Sequence, residues 1–420
     1  MLKIKDKEKI TILNALKAGV VPSVGLKYMQ VGRAREIAQL VKDLEHIETG
    51  GTIVRFVVGD FGAGKSFLLT LCKLMAHEKK MIVINADITT ERILCASDGK
   101  AKSLLTELIK NMSSKTRPEG NALKLVVETW IGKFTADLSN PTKNDFHKAL
   151  QPISHLALSS DFAQVLFKYL TAYQANDEAT LEKCLKWMRA EYETKTDAKN
   201  DLGVSAIVED SDFYDMLKIL SVFSKLAGFS GLLINIDEIA VLIRQRGPLR
   251  NKNYETLLTI INDCHQGSVE GIGFLFGATT EAIENKEKGL YSYGALQTRL
   301  SNNPYASSEN RDLSGPVMKL LTLSKEEMFV LIHKLRDIQA SFNPENHIID
   351  EDGLMAFFNQ TFSRIGSEEH MSPRDIIKDF LSLISVLESN PDSTWRDYIK
   401  QTSSIQNTTQ ESGLVRLRAK

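Results

Sequence analysis

Gly59-Asp60-Phe61-Gly62-Ala63-Gly64-Lys65-Ser66 directly follows the apolar run 52–58, TIVRFVV, and opens a helix-patterned stretch over 65–76. The order reads as strand, glycine-rich turn and helix. Its spacing is GxxxxGK[ST], the P-loop pattern in the context that gives it meaning. Gly59, Gly62 and Gly64 let the backbone bend so that successive N–H groups turn inward around phosphates. The helix N-terminus adds partial positive charge at the same place. Lys65 offers a point charge to the β- and γ-phosphates, and the Ser66 hydroxyl suits Mg2+. Residues 59–67, closing on Phe67, therefore form the expected cradle for a nucleoside triphosphate. A chance glycine turn is the weaker alternative against eight matching positions.

The chain has 420 residues, more than one ordinary domain, so a core domain and a smaller one are expected. With 43% hydrophobic and 25% charged residues, it reads as a soluble globular protein. A net charge of −1 gives no general basic field, so any nucleic-acid contact needs a local patch. Cys72, Cys95, Cys184 and Cys264 show no CxxC spacing. That argues against a zinc site or a disulfide framework and fits a reducing, cytoplasmic setting. The N-terminal stretch lacks a signal peptide's apolar region. The greasiest run, 231–243, is interrupted by Asn235, Asp237 and Glu238, which leaves no membrane span.

Upstream of the P-loop, residues 7–18 read as a helix. Val31-Gly32-Arg33 then turns into a second helix with Ile37, Leu40, Val41 and Leu44 on one face. Downstream, 81–86 is a buried strand. Helices are expected near 101–113, 121–138, 144–158, 160–175 and 177–193, a helical insertion closed by a loop at 195–203. Another helix over 206–228 leads to Gly231-Leu232-Leu233-Ile234-Asn235-Ile236-Asp237-Glu238. A buried strand ending in Asp-Glu has the Walker B form: Asp237 suits Mg2+ through water, and Glu238 suits a general base for water. A strand that merely ends in two acids at a polar turn is the bland alternative.

A helix over 254–264 precedes the strand 271–278, whose tip carries Thr279-Thr280. Either threonine would reach the γ-phosphate or simply cap the next helix. Arg299 ends the stretch 293–300, and 317–323 reads as a last strand. Helices follow at 324–341, 349–361 and 372–387. Ser372 and Pro373 mark a helix start. Arg374 sits in the first turn, where the dipole disfavours a cation, and is either a positioned group or an exposed surface residue. Arg244, Arg246 and Arg250 form the best local basic cluster, suited to DNA, to a neighbour's nucleotide or to plain solvent. The polar tail 401–420 reads as disordered.

Five strands joined by helices give an α/β parallel sheet with the P-loop and the strand tips at its carboxyl edge. The order resembles the AAA+ ATPases, in particular the initiator-like branch that includes origin-recognition ATPases. The matching residues are Val31-Gly32-Arg33 near adenine, 59–66 as P-loop, Asp237-Glu238, Thr279 (or Thr280) as sensor, Arg299 as arginine finger and Arg374 as lid sensor. Within that branch, VPSVGLKYMQVGR, RFVVGDFGAGKSFLL and RPEGNALKLVVETW resemble the ATP-binding proteins of bacterial BREX phage-defence loci, BrxD-like proteins. The resemblance runs from about residue 21 to 387. It implies a core over 29–323 behind an N-terminal piece, 1–28, and a helical lid over 324–400. The insertion at 90–200 departs from a minimal AAA+ core.

The resemblance further implies ATP and Mg2+ as ligands and ATP hydrolysis to ADP. It also implies a homo-oligomer completed by Arg299 in trans, a helicase or nuclease partner from the same locus, and contact with double-stranded DNA. An ATP-dependent switch with slow hydrolysis and no DNA contact is the competing class. A small-molecule kinase fits less well, because Asp237-Glu238 already supplies a base for water.

Overall fold

The computed structural model describes residues 3–136, 138, 141–307, 310–363 and 371–399. The tail 401–420 lies outside the described residues. The chain divides into two compact units. One comprises Met1–Arg33, Asp60–Thr70 and Leu320–Lys420; the other comprises Ala34–Gly59 and Leu71–Lys319.

The second unit holds the sheet. Its strands are β1 (Thr52–Val58), β2 (Ile82–Asp87), β3 (Leu232–Asp237), β4 (Ile272–Ala278) and β5 (Val317–Lys319). They lie all parallel in the order β2-β3-β4-β1-β5. Strands covered on both faces are built mostly of apolar side chains: β4 is apolar throughout, β3 departs from that at Asn235 and Asp237, and both are buried along their whole length. Phe56 of β1 stacks on Phe276 of β4, with ring centroids 4.9 Å apart. The last strand is shorter than the expected 317–323. Val58 pairs with Lys319, and β1 ends there, so no ladder partner remains further on.

The expected helical insertion is present as helices Lys100–Lys110, Leu123–Ala136, Lys143–Ala149, Ser159–Gln174 and Glu178–Met188. The expected helix 144–158 breaks after Ala149 into a 3-10 turn, Gln151–Ile153, because Pro152 cannot donate within a helix. The segment 195–203 is a helix, Lys195–Leu202, where a loop was expected. Thr194 caps it by accepting the Asp197 amide, Gly203 ends it in left-handed geometry, and Ala198 and Leu202 bury one side. The helix expected over 206–228 begins only at Phe213 and runs to Leu226. The one expected over 254–264 spans Gly247–Gln266, with Pro248 in its first turn. Trp130, stacked on Phe134 at 4.8 Å and tilted on Phe223 at 5.5 Å, joins the insertion to the core beside the sheet.

The helix Ala34–Glu48 buries Glu36, Leu40, Asp43, Leu44 and Ile47, so the buried stripe is rotated from the expected Ile37, Leu40, Val41 and Leu44. Both buried acids are paired. Arg55 Nε donates to Asp43 Oδ2 at 2.7 Å and its Nη2 to Oδ1 at 2.6 Å. Arg55 Nη1 also donates to the Ser314 and Gly315 carbonyls, which pins the approach to β5. Glu36 pairs with Arg311 at 2.8 Å.

In the first unit, helices Asp6–Lys17, Lys325–Gln339, Glu351–Ser363 and Pro373–Ser389 surround Ile12, Ile332, Leu335, Phe380 and Ile384. Among the described residues, no helix is long and apolar enough to cross a membrane.

Candidate functional site

In the first unit the glycine loop turns on left-handed glycines, with φ +80° at Gly62 and +94° at Gly64. A Cβ on Gly62 would run into the Ser372 hydroxyl and come within 3.3 Å of Arg374 Cβ. The loop thus lies against the first turn of the helix Pro373–Ser389, whose cap is Ser372 accepting the Asp375 amide at 3.2 Å. Arg374, exposed in that turn, makes no hydrogen bond or ion pair among the described residues. Lys65 Nζ folds back onto the Asp60 carbonyl at 3.0 Å and lies 5.6 Å from the centroid of the exposed Phe61 ring.

The turn Val31-Gly32-Arg33 joins the same group. Arg33, itself left-handed at φ +62°, donates from Nη2 to the Ala63 carbonyl at 3.0 Å. The helix Lys325–Gln339 holds this turn: Lys334 Nζ donates to the Gln30 carbonyl at 2.6 Å, and Glu327 fills the space beside Gly32. The amides of Asp60, Phe61, Gly62 and Gly64 donate to no protein acceptor among the described residues. Four such donors around a loop that tolerates no side chain at Gly62 are a donor set suited to phosphate oxygens. The first unit therefore brings together Val31, Gly32, Arg33, residues 60–67 and Arg374.

In the second unit β1, β3 and β4 end at one edge of the sheet. Gly59 N–H donates to the Ala278 carbonyl at 3.1 Å, which ties the end of β1 to the tip of β4. Asp237, buried at the end of β3, accepts the Glu238 amide on Oδ1 at 2.8 Å. Gly277 on the neighbouring strand makes room for it, since a Cβ there would collide with Asp237 Oδ1. Glu238 is exposed and adopts left-handed backbone, φ +62° and ψ +36°. That conformation costs a non-glycine residue about 1–2 kcal/mol.

Thr279 is buried at the tip of β4 and caps the next helix, its Oγ1 accepting the Ala282 amide at 3.1 Å. The hydroxyl proton is not used by that contact. Arg299 is exposed on the helix Gly294–Leu300. Its Nε donates to Asn262 Oδ1 at 2.6 Å and its Nη1 to the Ala295 carbonyl at 3.0 Å. Arg299 is thus held on its own chain and is not grouped with the acids of β3.

One acid escaped the sequence reading. Asp87 ends β2 in register with Asp237. Its carboxylate opens to solvent, yet the surrounding protein still raises its pKa, by desolvation first and then by the charge of Asp237, against the opposing pull of Arg92. The available signal was an acid following a strand-like run, but its meaning depends on the pairing of β2 with β3.

The chain matches a family model, BREX system ATP-binding protein BrxC/D, over residues 4–403. The chain belongs to this BrxC/D family. It is therefore an ATP-binding component of a BREX anti-phage defence system, and the first-unit cradle supplies donors of the kind ATP needs. Among curated proteins, no sequence matches it. The P-loop fold expected from 59–66 agrees with this membership and with the parallel sheet.

Proposed function

We propose that this BrxC/D protein hydrolyses ATP, with Glu238 as the base that takes a proton from the attacking water on its side-chain carboxylate. The observation that carries the proposal is the left-handed Glu238 backbone, whose amide is tied to Asp237 Oδ1 at 2.8 Å. Strain of this kind in a non-glycine residue persists where its surroundings enforce it, and it clusters at working sites. Lys65 and the guanidinium of Arg374, which has no partner among the described residues, offset charge developing on the γ-phosphate. The amides of the glycine loop orient the phosphates, and Val31, Gly32 and Arg33 flank the nucleotide.

Ser66 and Asp237, an alcohol and a carboxylate, are hard oxygen donors of the kind Mg2+ takes, and the bound ion would supply positive charge to the β- and γ-phosphates. Thr279 keeps a hydroxyl proton with which to hold the attacking water or a phosphate oxygen. Arg299 completes a neighbouring subunit's site in a homo-oligomer, using Nη2, which has no partner among the described residues. The helices from Lys325 onward act as a lid. The assembly works on double-stranded DNA with a helicase or nuclease from its own locus.

The deciding experiment is Glu238→Gln. The variant should bind ATP with the affinity of the parent and turn it over at least about a hundredfold more slowly. Full turnover by this variant overturns the assignment.

A further inference from the structure

Between Ile239 and Tyr254 the chain carries four cations, Arg244, Arg246, Arg250 and Lys252, and no acid. Arg244 and Arg246 are exposed between the 3-10 turn Ile239–Arg244 and the helix Gly247–Gln266, and Lys252 is exposed on that helix. None of the four forms an ion pair among the described residues. Arg250 is half-buried: its Nε is enclosed without a partner among the described residues, its Nη1 donates to the Gln245 carbonyl at 3.4 Å and its amide to the Arg246 carbonyl at 2.8 Å. Elsewhere in the second unit exposed cations commonly meet an acid, as Lys183 meets Asp201 and Lys115 meets Glu78. A stripe of uncompensated charge in a chain of net charge −1 is therefore a local departure.

The stripe is also anchored. Asn253, fully buried, donates to the carbonyls of Cys95 and Leu249 and accepts the Cys95 amide, all at 2.8–3.0 Å. Tyr254 is buried beside it, its hydroxyl donating to the Lys288 carbonyl. No exposed aromatic ring lies between Ile239 and Tyr254. Single strands are gripped by stacking bases on such rings, whereas duplex backbones need only spaced cations. A lone nucleotide is one compact anion and does not call for four cations spread over two elements.

We propose that Arg244, Arg246, Arg250 and Lys252 form a docking surface for the phosphate backbone of duplex DNA, and that the segment Ile239–Arg244 links this surface to Glu238. A six-residue 3-10 run is longer than is usual for this helix type, and such stretches mark hinges. It begins at the strained Glu238, whose carbonyl accepts the Val241 amide at 3.0 Å, and it ends at Arg244. Phosphates that draw on Arg244 and Arg246 act on the backbone that presents Glu238. The coupling rests on the ATPase reading above; the docking surface does not.

The test titrates the full chain with a labelled random-sequence duplex over a range of salt concentrations, and measures ATP turnover with and without that duplex. Parent protein should bind with log affinity falling linearly in log salt, and bound duplex should change turnover. Arg244→Ala/Arg246→Ala should bind more weakly, with the slope reduced by about 0.9 for each phosphate no longer neutralised. It should retain ATP binding and lose the response of turnover to duplex. Arg244→Lys/Arg246→Lys should restore most of the binding. A parent that does not bind duplex at low salt overturns the proposal, as does an alanine variant with unchanged affinity and slope. So does an alanine variant that keeps duplex binding but regains turnover on mixing with a Glu238→Gln subunit, which would assign the cations to a neighbour's nucleotide. If duplex binding depends on the stripe while Glu238→Gln keeps full turnover, the docking surface stands and the ATPase assignment falls.

Discussion

Arg33 Nη2 donates to the carbonyl of Ala63 at 3.0 Å, so a turn far upstream in the chain holds the middle of the glycine loop. The arginine reaches it from left-handed backbone, in a turn that Lys334 grips through the Gln30 carbonyl. Removing a charged donor from a half-buried hydrogen bond costs about 1 kcal/mol. Arg33→Ala should therefore weaken ATP about fivefold and lower the free energy of unfolding by about 1 kcal/mol at most. Titration with a fluorescent ATP analogue measures it, and unchanged affinity would detach this turn from the nucleotide.

Gly62 and Gly64 share left-handed backbone but not surroundings. A Cβ on Gly64 meets nothing within 4 Å, whereas one on Gly62 meets Ser372 and Arg374. Gly64→Ala should cost the backbone term alone, about 1–2 kcal/mol without nucleotide. Gly62→Ala should cost more, because the cap of the helix Pro373–Ser389 must shift as well. Urea unfolding of the two apo variants compares them, and equal losses would show that the loop does not press on that helix.

Asp43 and Arg55 are the most deeply buried ion pair in the second unit, with side chains 6% and 8% exposed. Removing one member of such a pair leaves an uncompensated buried charge, at about 3–5 kcal/mol. Asp43→Ala should therefore lose more stability than a surface truncation by several-fold. It should also loosen the approach to β5, since Arg55 carries the Ser314 and Gly315 carbonyls. Denaturant midpoints and hydrogen exchange at 314–319 report both effects.

What the sequence made legible follows from how each element satisfies water and backbone. Strands buried on both faces are mostly apolar, so β1, β3 and β4 stood out despite Arg55 in β1 and Asn235 and Asp237 in β3, as did the glycine loop that β1 feeds. The helix Ala34–Glu48 misled, because its buried stripe includes Glu36 and Asp43, and periodicity counts only apolar residues. The helix Lys195–Leu202 is polar on most of its surface and depends on its caps, so composition alone suggested a loop. Asp87 follows a strand-like run, but that local signal had no meaning without strand order, which alone sets it beside Asp237. The hydrogen bond from Arg33 to Ala63 is likewise a tertiary fact with no local trace.

His77 is buried, with Nε2 3.1 Å from Ser113 Oγ. Burial first, and then the charge of Lys73, lowers its pKa to about 4. The unfolded chain, with an ordinary histidine, binds the proton more readily, so acid favours unfolding. Stability tied to this residue is present above about pH 6.5 and falls away as pH drops toward 4. By pH 5 the loss is about 2 kcal/mol. His77→Gln should lack that component, so the stability gap between parent and variant should shift by that amount between pH 7 and pH 5. Urea midpoints at the two pH values measure it.

Gly277 tests whether Asp237 and Glu238 are the hydrolysis pair. A methyl group there meets Asp237 Oδ1, the same atom that fixes the Glu238 amide, so both acids must move. Gly273, two turns of the pleat earlier on β4, is equally crowded, but by the apolar side chains of Ile47, Ile53 and Leu233. Both alanine variants should lose stability. Only Gly277→Ala should lose turnover, on the order of a hundredfold, or about 2.7 kcal/mol of transition-state stabilisation. ATP affinity without Mg2+ should stay near the parental value in both, because the glycine loop and Arg374 are untouched. A Gly277→Ala protein that hydrolyses ATP as fast as Gly273→Ala would mean that the acids of β3 are not where the water is activated.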